Sequence, residues 1–315
     1  MIDNFGRDID YLRISVTDLC NLRCLYCMPA EGVNKLRHEN ILSPEEIQTI
    51  VEAAAKIGVK KVRLSGGEPL VRKGIFKIIE LVAQIPEITE ITLTTNGSLL
   101  AEHAASLKKA GLTRVNISID AVDREVYRAI TRGGEIEKVM AGIQAAKDAG
   151  LTPVKLNAVL IGGVNDGQIK QLIALTEDED LQVRFIEIMP IGECKDWNKE
   201  RFIGISKVLE AEPTLEYIGV DGVSMLYRKP GNKGTVGLIS PISNHFCPQC
   251  NKLRVTADGK LKPCLHSAEE IELRGLGGDE LTGAIRGAIL AKPLKHKLAR
   301  DGESRSRRGM NAIGG

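Results

Sequence analysis

The sequence predicts an α/β fold built on a parallel sheet, and three observations carry that reading. Short β-rich runs alternate with amphipathic helical stretches from Tyr11 to Met189; about six such units can be counted; and the periodicity changes beyond Met189. The strands read YLRISVT, VKKVRLS, EITLTT, TRVNISI, TPVKLNAVL and LQVRFIEIM. The first helix opens at Ser43-Pro44 with Glu46 three residues after the serine, a capping box with a first-turn proline, and Gly58 supplies its stop. Further helices are expected to start near Gly74, Ala101, Glu135 and Gln168. Six units fit either an incomplete barrel or an open doubly wound sheet, and in both the function sits at the C-terminal strand ends.

Beyond Met189, residues 191–199 read as a loop, 203–211 as a short helix, and 214–240 as hairpins with Gly-rich turns. The expected division is a partial barrel over 1–200 and a smaller C-terminal α+β region over 201–315. The closing stretch, ARDGESRSRRGMNAIGG, is polar and rich in Gly and Arg, and composition alone makes it a mobile tail.

Composition narrows the function. With 315 residues and 43% hydrophobic content a buried core is assured, while 43 basic against 41 acidic residues leave a net charge of only +2. No overall field draws this chain to nucleic acid or a membrane, so any anion site must be local. The N-terminus lacks the apolar core of a secretion signal and no stretch approaches a membrane span, so a cytoplasmic location is expected. Six of the seven cysteines fall in two tight groups, which in a reducing compartment points to metal rather than disulfides.

The first group is Cys20-Asn-Leu-Arg-Cys24-Leu-Tyr-Cys27, directly after the first strand. A loop leaving a strand end can wrap three thiolates around an iron–sulfur cube, leaving one iron open, whereas structural zinc normally takes four protein ligands. Cysteines spaced this way could also line one buried helix face, but the segment follows a strand and holds polar Asn21 and Arg23. The second group is Cys247-Pro-Gln-Cys250 with Cys264, which the intervening Ala-Asp-Gly-Lys turn could fold back beside the pair. Three thiols again suggest a cluster; a zinc knuckle completed by His245 or His266 is the alternative. Cys194 is left over and reads as an ordinary cysteine.

The CxxxCxxC loop, with Tyr26 before its last cysteine, and Gly66-Gly67-Glu68-Pro69 at the second strand end resemble the radical S-adenosylmethionine (SAM) superfamily. Two three-cysteine sets, the motif order and the Gly314-Gly315 terminus further resemble the GTP 3′,8-cyclase family of molybdenum cofactor biosynthesis across nearly the whole chain. That resemblance implies an incomplete (βα)6 barrel closed by the C-terminal region, two [4Fe–4S] clusters and SAM. It makes Cys20, Cys24 and Cys27 the ligands of the catalytic cluster and Cys247, Cys250 and Cys264 those of the second. Tyr26, Gly67, Ser118 and Met189 fall where the family contacts SAM. Arg13, Arg63, Thr94, Lys155, Lys252 and Arg254 fall where it binds GTP, with Arg184 a weaker candidate; cations on neighbouring strands suit a triphosphate. The family usually has Asn-Arg-x-Arg where this chain reads Asn251-Lys252-Leu253-Arg254, and lysine keeps the charge without the planar fork.

The implied reaction starts with reductive cleavage of SAM. The 5′-deoxyadenosyl radical so formed then takes hydrogen from ribose C3′ of GTP, and the C3′ radical adds to guanine C8, giving 3′,8-cyclo-7,8-dihydroguanosine triphosphate after a further electron and a proton. Partners implied are GTP, an external electron donor, a downstream cyclic pyranopterin monophosphate synthase and a possible homodimer, with no nucleic acid and no membrane. The Gly-Gly end is implied to enter the active site. Two other readings stand beside this one. A peptide-modifying radical SAM enzyme usually carries a more cysteine-rich C-terminal region, and a zinc protein on nucleic acid would need more than 3% aromatics.

Overall fold

The computed structural model describes residues 1–33, 36–197, 199–296, 298 and 304–313. Six strands, β1 (Tyr11–Ser15), β2 (Lys61–Ser65), β3 (Glu90–Thr95), β4 (Arg114–Ser118), β5 (Lys155–Leu160) and β6 (Gln182–Glu187), lie side by side in chain order and all parallel. Helices α1 (Pro44–Ala55), α2 (Ile75–Ala83), α3 (Leu100–Ala110), α4 (Arg124–Thr131), α5 (Ile136–Asp148) and α6 (Ile169–Ala174) fill the crossovers. Short parallel strands need such crossovers, and the helices cover the apolar face they leave exposed.

The strand sequences alternate. Leu12, Ile14, Val62, Leu64, Leu93, Val115, Ile117, Leu156, Val183 and Phe185 are buried in the core shared with the helices. Their neighbours Arg13, Arg63, Thr94, Lys155 and Arg184 line the hollow on the other side. A period of two therefore sends apolar side chains outward under the helices and polar ones inward, the reverse of a filled barrel.

Ser43 caps α1 as expected, its side chain accepting from Glu46 N while Glu46 accepts from Ser43 N. The helix ends at Ala55, before the Gly58 stop, which stands at φ +103°. Helix α4 was not anticipated, although Asp123 carries its signal by accepting from Glu125 N and Val126 N at 2.9 Å.

The C-terminal region adds β7 (Glu216–Asp221), β8 (Ser224–Arg228), β9 (Thr235–Ile239), β10 (Lys252–Val255), β11 (Lys260–Lys262) and β12 (Ile271–Glu272), with α7 (Ser206–Ala211) and α8 (Gly278–Leu290). It does not stack on the barrel but extends both edges. β9 pairs parallel with β6, β10 pairs parallel with β1, and the twelve strands run β12-β11-β10-β1-β2-β3-β4-β5-β6-β9-β8-β7. Among the described residues β12 and β7 do not pair, so the barrel stays incomplete.

The tail departs from its compositional reading. Arg308 donates from Nη1 and Nη2 to both oxygens of Asp258, at 2.9 and 2.8 Å, and from Nε and Nη2 to Glu270, at 2.6 and 2.8 Å. Ile313 is 1% exposed. Fixed carboxylates on the β10–β11 turn and the following loop convert an arginine of the tail into an anchor. Gly314 and Gly315 lie outside the described residues.

Candidate active site between two cysteine sets

One cavity of about 900 Å³ runs through the barrel, and every residue singled out as a ligand or contact lines it. Cys20, Cys24, Cys27, Tyr26, Gly67, Ser118 and Met189 lie towards the C-terminal strand ends; Cys247, Cys250, Cys264, Lys252 and Arg254 come from the C-terminal region. Arg13, Arg63, Thr94, Lys155 and Arg184 stand on the strands themselves. The volume is near the upper end of ligand pockets, roughly 300–1,000 Å³, which leaves room for more than one small molecule.

The first cysteine loop is tied to its surroundings mostly by backbone. Cys27 N and Met28 N donate to Cys24 O, Arg23 N to Thr131 O, and Leu25 N to Ile130 O. Asn96 Nδ2 and Leu22 N both approach Cys20 Sγ, at 3.9 and 3.3 Å. Gly67 N donates to Thr17 O and Glu68 N to Leu19 O, so the Gly66-Gly67 turn lies flat against this loop. A Cβ on Gly67 would come within 2.2 Å of Leu19 O, and one on Gly66 within 2.3 Å of Thr17 O. Neither contact is possible, which is why the turn needs two glycines. The Gly67 amide is already used by Thr17 O.

Two acidic residues that sequence reasoning passed over support this end. Glu68, fully buried, accepts from Leu70 N, Thr95 Oγ1 and Asn96 N, stitching the end of β2 to the end of β3; burial raises its carboxyl to about 7. Asp120 accepts from Tyr26 Oη at 2.7 Å and from Val159 N at 2.8 Å, holding the tyrosine across the cluster loop, and burial raises it to about 6. Sequence could have flagged both, since Glu68 is in the Gly-Gly-Glu-Pro motif and Asp120 follows a strand end.

The second set is assembled differently. Cys247 opens a 3-10 turn (Cys247–Gln249), and the β10–β11 hairpin returns the chain to Cys264. Arg7 Nη1 donates to Cys247 O at 2.9 Å, and buried Lys292 Nζ donates to Lys252 O at 2.8 Å and Pro263 O at 2.7 Å. The motifs did not reveal Arg7 or Lys292, because each acts over a separation that no local pattern records.

The thiols fit clusters. All seven cysteines are free of disulfides and line the cavity; six are half-buried, while Cys194 is buried and its thiol donates to Tyr26 O at 3.2 Å. Neither set has a fourth cysteine, the donor chemistry that leaves one iron of a [4Fe–4S] cube open. Burial pushes Cys24 and Cys27 up, Cys27 to about 12, so iron must displace the protons. Around the second set, His266 packs on His296 with ring centres 4.7 Å apart and shares Nδ1 with Ser304 Oγ at 3.1 Å.

The cations between the sets are crowded and largely buried. Arg13 and Arg254 sit opposite each other in the β1–β10 register, and Arg13 opposite Arg63 in β1–β2. Burial lowers Lys155 and Lys252 to about 8 and Arg184 and Arg254 to about 10. Arg63 and Lys252 stand over the Tyr11 ring at 5.3 and 5.7 Å. Arg63 Nε, Thr94 Oγ1 and Asn157 Oδ1 are buried without a partner among the described residues, polar atoms that a bound ligand would satisfy. Arg254 Nη1 donates to Ile313 O at 3.0 Å, which brings the tail to the same place.

Comparison with known proteins agrees with this geometry. Residues 14–176 match the Radical SAM superfamily and residues 181–298 match Molybdenum Cofactor Synthesis C. The chain is 50% identical to a GTP 3′,8-cyclase of Alkaliphilus oremlandii and 51% identical to that of Alkaliphilus metalliredigens, in each case over 100% of both chains. A Listeria monocytogenes GTP 3′,8-cyclase is 49% identical over 94% of this chain and 92% of its own. The structure of Streptococcus suis SuiB superposes with a TM-score of 0.63 at 15% identity, covering 89% of this chain and 68% of that one. Methylornithine synthase gives 0.52 at 18% identity, over 66% of this chain and 62% of its own; both likenesses speak to the fold alone. With two cysteine sets opening on one cation-lined barrel and identity near one half along the whole chain, this protein belongs to the GTP 3′,8-cyclase family of radical SAM enzymes.

Proposed function

We propose that this chain converts GTP to (8S)-3′,8-cyclo-7,8-dihydroguanosine 5′-triphosphate, the first step of molybdenum cofactor biosynthesis. The observation that carries the reading is the single cavity with an incomplete cysteine set at each end and cations between them. Cys20, Cys24 and Cys27 would hold the cluster that opens onto SAM; Cys247, Cys250 and Cys264 would hold the one that opens onto the nucleotide. When bound, the first cluster and SAM supply the one-electron chemistry that removes hydrogen from ribose C3′.

The chain's own part is placement and exclusion. Tyr26, locked by Asp120, the carbonyl of Gly67, Ser118 and Met189 would orient SAM near the strand ends. Arg13, Arg63, Lys155 and Arg184, with Lys252 and Arg254, would take the triphosphate, and Thr94 offers a hydroxyl beside them. Holding C3′ close to C8 in a site with little water removes most of the entropic cost of joining them. In function the chain divides into a radical-generating part, 1–200, and a substrate-closing part, 201–315.

The overall reaction needs two electrons from outside, one to cleave SAM and one, with a proton, to complete the cyclised nucleotide, so an external reductant belongs to the proposal, as does a downstream cyclic pyranopterin monophosphate synthase that consumes the product. Among the described residues no helix is long and apolar enough to cross a membrane, which is compatible with the proposed cytoplasmic location. The test is anaerobic reconstitution followed by iron and product analysis. About eight irons per chain and a cyclised nucleotide from GTP are expected on two four-iron clusters; about four irons, or zinc in the second site, would refute the two-cluster reading.

A further inference from the structure

The two cations on β5 and β6 already hold an anion. Lys155 Nζ lies 2.5 Å and Arg184 Nη2 2.7 Å from the same oxygen of Asp221, Oδ2. Both cationic side chains are 10% exposed, against 40% for the aspartate. Burial alone would raise Asp221, but the hydrogen bond and charge of Lys155, with the charge of Arg184, outweigh it and hold the carboxyl down at about 2. It is an anion at any working pH.

Its position in the fold matters as much as its charge. Asp221 ends β7, the outermost strand, and a Gly222-Val223 turn with Gly222 at φ +62° returns the chain to β8. Among the described residues β7 pairs only with β8, and Glu216, Tyr217, Ile218 and Val220 along it are exposed. A second carboxylate in the cavity, Glu90, pairs with Arg114 at 2.5 Å, but it sits on β3 between β2 and β4 and cannot leave without breaking the sheet. The β7–β8 hairpin can swing its aspartate away at far smaller cost.

We propose that Asp221 is an internal anion that occupies the phosphate position on Lys155 and Arg184 until a nucleoside triphosphate displaces it, and so biases the site against nucleotides of lower charge. The proposal rests on the GTP reading above and adds the residue that sets its charge selectivity. A phosphate on these two cations would meet the Asp221 carboxylate at contact distance, and two anions so close repel each other. A triphosphate can offset that repulsion because it also reaches Arg13, Arg63 and Arg254, which a monophosphate does not span. Discrimination of this kind comes from an introduced repulsion as much as from attraction.

Equilibrium binding of GTP, GDP and GMP to the reconstituted holoenzyme, without SAM, tests the idea. Asp221→Asn should bind GTP on the order of tenfold tighter, as expected for removing a competitor paired twice with the site, and should gain more for GDP. The preference for GTP over GDP then narrows. Asp221→Glu, which keeps the charge, should keep the preference. Unchanged or weaker GTP binding by Asp221→Asn would show that the carboxylate stays in place as a positioning residue, and would end the proposal. Hydrogen exchange of residues 216–228 in the unaltered protein gives a second reading that no folding defect can obscure. GTP should speed exchange there and GMP should not; protection by GTP would overturn the displacement. If the unaltered protein binds no GTP and Lys155→Ala changes nothing, the substrate reading itself has failed.

Discussion

The two cysteine sets carry the same number of thiols but are built on opposite plans. Cys20, Cys24 and Cys27 lie within one loop, held by backbone bonds to each other and to the end of α4. Cys247, Cys250 and Cys264 are brought together by a hairpin and clamped from afar, by Arg7 at one end of the chain and Lys292 near the other. Their electrostatics differ too. Burial raises the thiols of Cys20, Cys24 and Cys27, and the nearby Asp120 raises Cys24 and Cys27 further. In the second set burial raises Cys247 as well, but at Cys250 the charges of Lys292, Lys252 and Arg254 outweigh burial and lower the thiol from its ordinary value. A site written in local spacing survives much change around it. One held by long-range side chains depends on the whole fold being right, and supporting residues of that kind matter nearly as much as the ligands.

The comparison breaks most sharply at the first set. Cys24→Ala leaves two thiols in a loop that cannot recruit another, so reductive SAM cleavage should fall to background. Release of 5′-deoxyadenosine at the normal rate from the reconstituted variant would contradict the assignment. At the second set the expected effect is large but selective. Cys264→Ala should lose cyclised nucleotide while SAM cleavage persists, because the two sets share no ligand and stand on different elements. Scoring 5′-deoxyadenosine and cyclised product separately distinguishes this from a structural role, which would spare both.

A smaller effect would sharpen the contrast by cutting a tether rather than a ligand. Arg308 anchors the tail to Asp258 and Glu270, beside the hairpin that carries Cys264. Its replacement by Ala should lower cyclisation on the order of tenfold, since slight misplacement is costly in an oriented reaction. Iron content should hold, while trypsin should cut the 304–313 segment faster than in the unaltered protein. Equal proteolysis rates would mean that the tail is held by Ile313 and Arg254 without Arg308.

By itself the sequence determined the alternation of six strands with helices, the capping box at Ser43 and Glu46, and the loop that gathers Cys20, Cys24 and Cys27. All of these are local, set by neighbours a few residues apart or by a period of two or 3.6, and such patterns act before any long-range contact exists. The family resemblance marked Arg13, Arg63 and Lys155 as nucleotide contacts, and the structure shows that all three line one hollow. Only the tertiary structure decided that the C-terminal strands extend both edges of one sheet, that Cys264 joins Cys247 and Cys250 across the same cavity, and that Asp221 sits between Lys155 and Arg184. It also reversed the tail, which composition makes solvated, because an arginine is mobile or anchored according to whether two carboxylates some 40 to 50 residues away are in reach. Pairings across such distances depend on where the sheet closes, and no local pattern in the chain specifies that.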